Sequence, residues 1–270
     1  MDIQIVLLYL GLGLLFQLLS IFFPFRTIEG RKEFGWDISS MLDGKVVSVV
    51  FWLAIGNTII IAANQQSLIQ ALQASVEQWS FCSLFLVQLL LTDFLLYWAH
   101  RLLHTQLLWH SHAWHHSPKH MWWLAGLRAA PLHVVVLSLP FALTYIAFPT
   151  PEGDAVAITL AVFRIANQHW LHSNIKLPYS RALELIFITP RAHFVHHDQR
   201  RCFSDSNYGF IFSFWDRLFG TYTQPQTVGN SPKLGLNYHN TPMRLFLGLP
   251  PPKTAQPSSQ SLSQNTPQAE

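Results

Sequence analysis

Nine of the fourteen histidines fall into a spaced array: His100 and His104, then His112, His115 and His116, then His172, then His193, His196 and His197. Imidazole is the commonest transition-metal side-chain ligand, and spacings of i, i+3 and i+4 stack rings on one helical face. One HxxxH alone says little; joined to two HxxHH runs within about a hundred residues it is a specific signal. Zinc usually takes four ligands and iron about six, so nine rings exceed one ion and predict two. All-imidazole ligation suits zinc, iron, copper or nickel alike, so ligand type does not select the metal. The remaining histidines, His110, His120, His133, His169 and His239, lie outside the pattern. His169 stands three residues before His172 but is left out of the set, and His239 is expected at the surface.

Other chemistries are disfavoured. There is no HExxH and no GxSxG, and Gly11-Leu12-Gly13 lies in an apolar run rather than at a nucleotide-binding turn. The charge of +3 comes without a Lys/Arg block, which argues against nucleic acid. Cys82 and Cys202 read as reduced thiols, with no disulfide expected.

The elements that position the array are apolar. The 270-residue chain is 50% hydrophobic and only 11% charged, against roughly 25% for a soluble domain. A span needs about 20 mostly apolar residues. Ile3 to Phe23, Val46 to Ala63, Phe81 to Trp98 and Leu132 to Phe148 qualify, the last with Pro140 as an expected kink. The first lacks a basic n-region and a cleavage site and reads as a retained anchor. Ala155 to Leu171 is weaker, with Arg164, Asn167, Gln168 and His169 inside it. It completes the parity needed to bring His172 and His193–His197 to the side of His100–His116, whether it spans or re-enters. A tight turn at 149–154 carries Glu152 and Asp154. Arg26, Arg31, Lys32 and Lys45 precede the second span, and the histidine-bearing segments carry nine basic residues from Arg101 to Arg217, Arg128 among them. By the positive-inside rule the histidines face the cytoplasm and the N-terminus lies outside. The expected fold is an all-α integral membrane protein of about four to five transmembrane or re-entrant helices under a cytoplasmic histidine-rich helical cap.

Three regions follow: N-terminal membrane helices and loops over 1–80, a histidine-bearing catalytic domain over 81–225, and a C-terminal extension over 226–270. Beyond about residue 250 the Pro/Ser/Gln/Thr composition predicts disorder. Asp93, Tyr97, His100 and His104 fall on one helical stripe. An acid is costly inside a membrane, so Asp93 is expected to accept the N–H of a ligating ring and fix its tautomer.

The run Asp93-Phe-Leu-Leu-Tyr97-Trp98-Ala-His100-Arg101-Leu-Leu-His104, with Leu108-Trp109, His112-Ala-Trp-His115-His116-Ser117, His172-Ser173-Asn174 and Thr189-Pro190-Arg191-Ala-His193-Phe-Val-His196-His197, resembles the fatty acid hydroxylase superfamily, also called the sterol desaturase family. Asp205-Ser206-Asn207-Tyr208-Gly209 and Trp215-Asp216-Arg217-Leu218-Phe219-Gly220-Thr221 extend the likeness, which covers about Phe81 to Tyr222. The resemblance implies a membrane non-haem di-iron enzyme that uses O₂ and two electrons to hydroxylate or desaturate a lipid C–H bond. It makes the nine histidines the ligands of two iron ions, with zinc an alternative occupant in preparations. It adds Asn174, Asp205 and Asn207 to Asp93 and Tyr97 as residues holding the rings from outside. One stretch departs from the pattern. Where relatives often carry Leu-Arg-x-His-Pro-Leu-Glu, this chain has Leu127-Arg128-Ala129-Ala130-Pro131-Leu132-His133.

The functional expectation is a lipid hydroxylase acting on a fatty acyl, sterol or related C–H bond, with desaturation by the same centre as the alternative and non-catalytic metal binding as a third reading. The substrate would reach the site from the bilayer, with Met121, Trp122 and Trp123 as candidate lining; for the tryptophans, anchoring at the headgroup level is the competing role. No haem, flavin or iron–sulfur motif is present, so a separate electron donor, ferredoxin-like or cytochrome b5-like, is expected.

Overall fold

The computed structural model describes residues 3–27, 33–148, 155–228 and 232–252. Among them there are helices and two isolated bridges, Pro24 to Ile175 and Phe187 to Phe212, and no β-strand. The expected turn at 149–154 and the tail beyond 252 lie outside the described residues.

Helix α1 runs Ile3–Phe22, α2 Phe34–Asn64, α3 Ser67–Val76, α4 Phe81–Leu103, α5 Trp109–His116, α6 Pro131–Ala147, α7 Ala155–Leu171 and α8 Pro190–His196. Four of the five expected apolar segments fall within a residue or two of α1, α4, α6 and α7 at their starts, and α4 continues beyond Trp98 to Leu103. Helices α2 and α4 are long and apolar enough to cross a membrane; Leu7–Phe22 and Pro131–Ala147 are shorter apolar helices. Leu7, Leu10, Leu14, Leu18 and Ile21 make an exposed stripe at helical spacing along α1. Val46, Val49, Val50 and Leu53 do the same on α2. Such exposed apolar faces suit lipid rather than water.

Local sequence sets several helix ends. Ser80 accepts the Ser83 N–H at the start of α4 and Thr189 accepts the Ala192 N–H at the start of α8. Pro131 and Pro190 occupy first-turn positions, where no N–H is needed. Pro140 lies within α6, and no break separates it from the rest of the helix.

Helix α4 packs on α6 and α7, α2 packs on α6, and α1 packs on α7. Leu89, Val156, Leu160 and Ile211 form one buried apolar cluster between α4, α7 and the chain that follows α8. Phe25 N–H donates to the Asn174 carbonyl and Lys176 N–H to the Phe23 carbonyl, stitching the exit of α1 to the end of α7.

Helix α2 corrects one expectation. The second span was expected to begin at Val46, with Arg26 to Lys45 as a connection, yet the helix begins at Phe34. Those 12 extra residues carry it about 18 Å further at 1.5 Å per residue. The reason lies in its inward polar residues. Buried Asp37 accepts from Arg128 Nε at 2.6 Å and from Trp122 Nε1 at 2.9 Å, and Ser40 Oγ accepts from Trp114 Nε1 at 2.7 Å. Arg128 is therefore a buried ion-pair partner, only 2% exposed, and not the surface charge assumed in counting basic residues.

Candidate metal centre

Four segments bring the histidines together. The C-terminal turn of α4 supplies His100 and, at its cap, His104; α5 supplies His112, His115 and His116; the residue after α7 is His172; α8 supplies His193 and His196 and is capped by His197. All nine rings are buried. Their inward nitrogens form two groups, each within 4.8 Å: His100, His104, His112, His116 and His196 in one, and His115, His172, His193 and His197 in the other. His169 joins neither. Its Nδ1 donates to the Ile165 carbonyl and its ring stacks on Trp123 at 5.0 Å.

The inward atoms are the Nε2 nitrogens. His100 Nε2 lies 3.1 Å from His112 Nε2, and the Nε2 atoms of His104, His116 and His196 are buried with no hydrogen-bond partner. In the second group His172 Nε2 is 3.3 Å from His115 Nε2 and 3.0 Å from His193 Nε2, which is 3.1 Å from His197 Nε2. Two nitrogens bound to one cation at about 2.0–2.1 Å stand about 3.0 Å apart across a right angle.

Tautomers make the fit more demanding. A carbonyl only accepts, so a ring nitrogen against one must carry the proton. His115 Nδ1 donates to the Arg128 carbonyl at 3.1 Å and His172 Nδ1 to the Gln168 carbonyl at 2.9 Å. Both neutral rings then present bare Nε2 lone pairs to each other across 3.3 Å. Such a contact repels unless a cation lies between the lone pairs. Burial, reinforced by neighbouring rings, holds His104, His112, His115, His116, His193 and His197 well below the ordinary imidazole value, and burial lowers His172 to about 4. The rings are neutral donors at pH 7. Two cations fit this donor set.

The outer nitrogens of the five-ring group are anchored largely by one loop. Asp205 Oδ1 lies 3.1 Å from His104 Nδ1, the Ser206 carbonyl accepts from His196 Nδ1 at 2.8 Å, and the Tyr208 carbonyl accepts from His100 Nδ1 at 2.8 Å. Between them Asn207 adopts a left-handed backbone, φ 53°. Its amide donates to the Ala192 and Thr223 carbonyls and accepts from Thr223 N–H, tying the loop to α8. Asp216, buried, accepts from the Tyr208 and Gly209 N–H groups and the Thr221 hydroxyl. Burial pushes its carboxyl up to about 6 despite those bonds.

Several residues do other work than expected. Asp93 accepts no ring N–H; its oxygens take the Ile211 and Phe212 N–H groups and Trp215 Nε1, so it pins the loop rather than a ligand. Asp216 at Tyr208 and Gly209, then Asp93 at Ile211 and Phe212, thus satisfy four backbone N–H groups along this stretch. The Tyr97 hydroxyl meets Thr221 Oγ1 and Arg101, not a histidine nitrogen. The Asn174 side chain pairs with both backbone groups of Arg26. Met121 and Trp122 are buried, Trp122 against Phe34 and Asp37 of α2. Trp123 lies on α1 at Gly13, where a Cβ would meet its ring at 2.7 Å. None of the three lines the cavity beside the histidines.

That cavity, about 330 Å³, is bounded by His100, His112, His115, His172 and His193 and by side chains of α1, α2, α6 and α7. Sequence reasoning missed four residues around it. His133, set aside as outside the array, places Nδ1 3.1 Å from His112 Nδ1 and lines the cavity. With His133 there, Ala130 is fully buried and the departing 127–133 stretch still supports the histidines. The Arg128 side chain is held by Asp37 and Glu33, while its carbonyl holds His115. Gly126 leaves no room for a Cβ, which would collide with the His172 ring. Gln168 Nε2 donates to the Gly126 carbonyl at 2.7 Å and closes that corner. A glycine facing a ligand and a polar residue one turn before His172 were the available signals.

The fatty acid hydroxylase family profile matches residues 85–221. Among curated proteins the chain is similar to the alkylglycerol monooxygenase of Homo sapiens, 33% identical over 148 residues, or 53% of this chain and 31% of the relative. It is 31% identical over 155 residues to the ornithine lipid hydroxylase of Rhizobium tropici, 55% of this chain and 44% of the relative. It is 29% identical over 147 residues to the lathosterol oxidase of Mus musculus, 52% of this chain and 44% of the relative. The match thus spans less than half the length of these relatives. No solved structure matches the chain.

Proposed function

The chain belongs to the fatty acid hydroxylase family, and on that premise we propose that it is a membrane-embedded oxidoreductase that hydroxylates a lipid C–H bond with O₂. The observation that carries this reading is the pair of buried Nε2 clusters, with bare lone pairs of His115 and His172 facing across 3.3 Å beside a mostly apolar cavity. His100, His104, His112, His116 and His196 would hold one iron ion, and His115, His172, His193 and His197 the other. Two such ions, when bound, supply O₂ activation and the oxidising power that no amino-acid side chain has.

The chain's own residues do the rest. Carbonyls of Arg128, Gln168, Ser206 and Tyr208 fix the tautomers of His115, His172, His196 and His100 so that their Nε2 lone pairs point inward. Burial of all nine rings excludes bulk water from the oxidising centre. The cavity holds the substrate with one carbon against His100, His112 and His115. The protein crosses the bilayer with the histidines on the cytoplasmic face, as the basic bias of those segments supports. A separate reductase partner, ferredoxin-like or cytochrome b5-like, delivers two electrons. Trp109 is suited to that route, because it contacts His104 at 5.3 Å and His116 at 5.2 Å beneath Arg201.

The monooxygenase and the hydroxylase among these relatives favour oxygen insertion over desaturation. Comparative lipid mass spectrometry of cells with and without the protein is the test. A lipid heavier by one oxygen is expected; a lipid lighter by two hydrogens would establish desaturation, and no change in any lipid class would leave only metal binding.

A further inference from the structure

The cavity beside the histidines carries a cation that no acid among the described residues neutralises. Tyr9 of α1 and Ser40, Met41, Gly44, Lys45 and Ser48 of α2 form one wall, opposite α6 and α7. Tyr9 and Lys45 meet across this wall, which makes it the seam between α1 and α2. Lys45 lies exposed at that seam, its ammonium 4.8 Å from the Tyr9 ring centroid. Tyr9 in turn makes an edge contact with His169 at 4.6 Å. Among the described residues no carboxylate forms an ion pair with Lys45. A cation in an apolar helix is costly unless paired or drawn to the interface, and it marks a ligand path by default.

We propose, building on the lipid-oxidation reading, that this seam admits an acidic amphiphile whose carboxylate or phosphate pairs with Lys45. Its position sets which carbon reacts. Ser40 is tied to Trp114, between His112 and His115, and Lys45 follows Ser40 by five residues, about 7.5 Å along the helix. The acidic group therefore sits close below the histidine layer, and the carbon presented to His100, His112 and His115 belongs to the headgroup-proximal part of the lipid. The tail runs on into the adjoining cavity of about 250 Å³, walled by Leu96, Leu137, Phe141, Ile165, Phe210 and Ile211. That second cavity shares Tyr9, Leu137, Phe141, Gln168 and Phe210 with the first. A side chain at Gly44 would meet nothing within 4 Å, which leaves the space above it open for the ligand.

A second cation competes for the role. Arg164 lines the adjoining cavity, bonded to Thr92 Oγ1 and lying over Phe141. It stands eight residues before His172, about 12 Å from the histidine layer. Lys45 is nearer and lies at the seam, so it takes the acid.

The test is equilibrium binding of radiolabelled palmitate and hexadecyl phosphate to the metal-loaded protein in nanodiscs of neutral lipid, with hexadecanol as the uncharged control. The wild type should bind one or both acids about tenfold tighter than the alcohol, a difference of the size a partly desolvated ion pair supplies. Lys45→Met should erase that preference, Lys45→Arg should retain it, and Arg164→Met should leave it intact. Whichever acid binds tighter identifies the headgroup. Equal binding of acid and alcohol to the wild type, a preference that survives Lys45→Met, or one lost instead in Arg164→Met would overturn the proposal. Binding is read without turnover. A chain that prefers acids yet oxidises no lipid sinks the hydroxylase reading alone, and one that oxidises lipid without preferring acids sinks only this site.

Discussion

The two histidine groups share ligand chemistry but differ in how their rings are held. In the five-ring group the outer nitrogens of His100, His104, His112 and His196 have partners: the Tyr208 carbonyl, Asp205, His133 and the Ser206 carbonyl. In the four-ring group His115 and His172 lean on carbonyls, but His193 Nδ1 and His197 Nδ1 are buried without a hydrogen-bond partner. Outer partners fix ring orientation and raise ligand basicity, and losing one typically costs about 10–100-fold in metal affinity. The four-ring group is therefore the more weakly fixed of the two. It depends on close packing, through Gly126 against His172 and Arg128 behind His115, where the five-ring group depends on a hydrogen-bonded loop.

The largest expected effect comes from removing a ligand on either side. His196→Ala should cost the five-ring group its ion and His193→Ala the four-ring group its ion, each leaving about one metal per chain by elemental analysis. Lipid oxidation should fall at least about a thousandfold in both, since neither group alone completes the centre. If either variant kept both ions, the division into groups of five and four would be wrong.

Gly126→Ala comes next. Its Cβ would strike the His172 ring, so the four-ring group should lose metal while the five-ring group keeps it, with a destabilisation of about 1–3 kcal/mol from overpacking. Loss of both ions together would show the two sites are one cooperative unit. Asp205→Asn should act on the opposite side. It replaces the acid at His104 and should weaken the five-ring ion by about tenfold, leaving the four-ring ion unchanged in a chelator titration.

Asp37→Asn is the smallest. It keeps one hydrogen-bonding oxygen for Trp122 or Arg128 but removes the charge behind Arg128, and Glu33 remains. A few-fold faster loss of the four-ring ion is expected, by way of the Arg128 carbonyl on His115. An equal effect on both ions would show that α2 supports the whole centre rather than one half.

What could be read from residue types alone follows from where the chemistry resides. The nine histidines declare themselves because ligation needs their side chains at helical spacing, and the apolar helices declare themselves by length. The anchors behind the rings are mostly backbone carbonyls, at Arg128, Gln168, Ser206 and Tyr208, and a carbonyl leaves no mark on residue identity. Asp93 was misread for a related reason. Its place on the His100 stripe was visible, but its true partners, the Ile211 and Phe212 amides, are contributed by a loop more than a hundred residues away. The early start of α2 was hidden because Asp37 and Ser40 look like loop residues until their buried partners, Arg128, Trp122 and Trp114, are known. His133 escaped because it stands alone in sequence, the one histidine of a mostly apolar helix.

The most direct test of two separate metal sites is iron content during graded chelation of the purified protein. Two ions per chain are expected at the start, released in two phases, with the His193→Ala variant lacking the faster phase. One ion per chain, or a single phase that His193→Ala and His196→Ala abolish alike, would contradict this expectation.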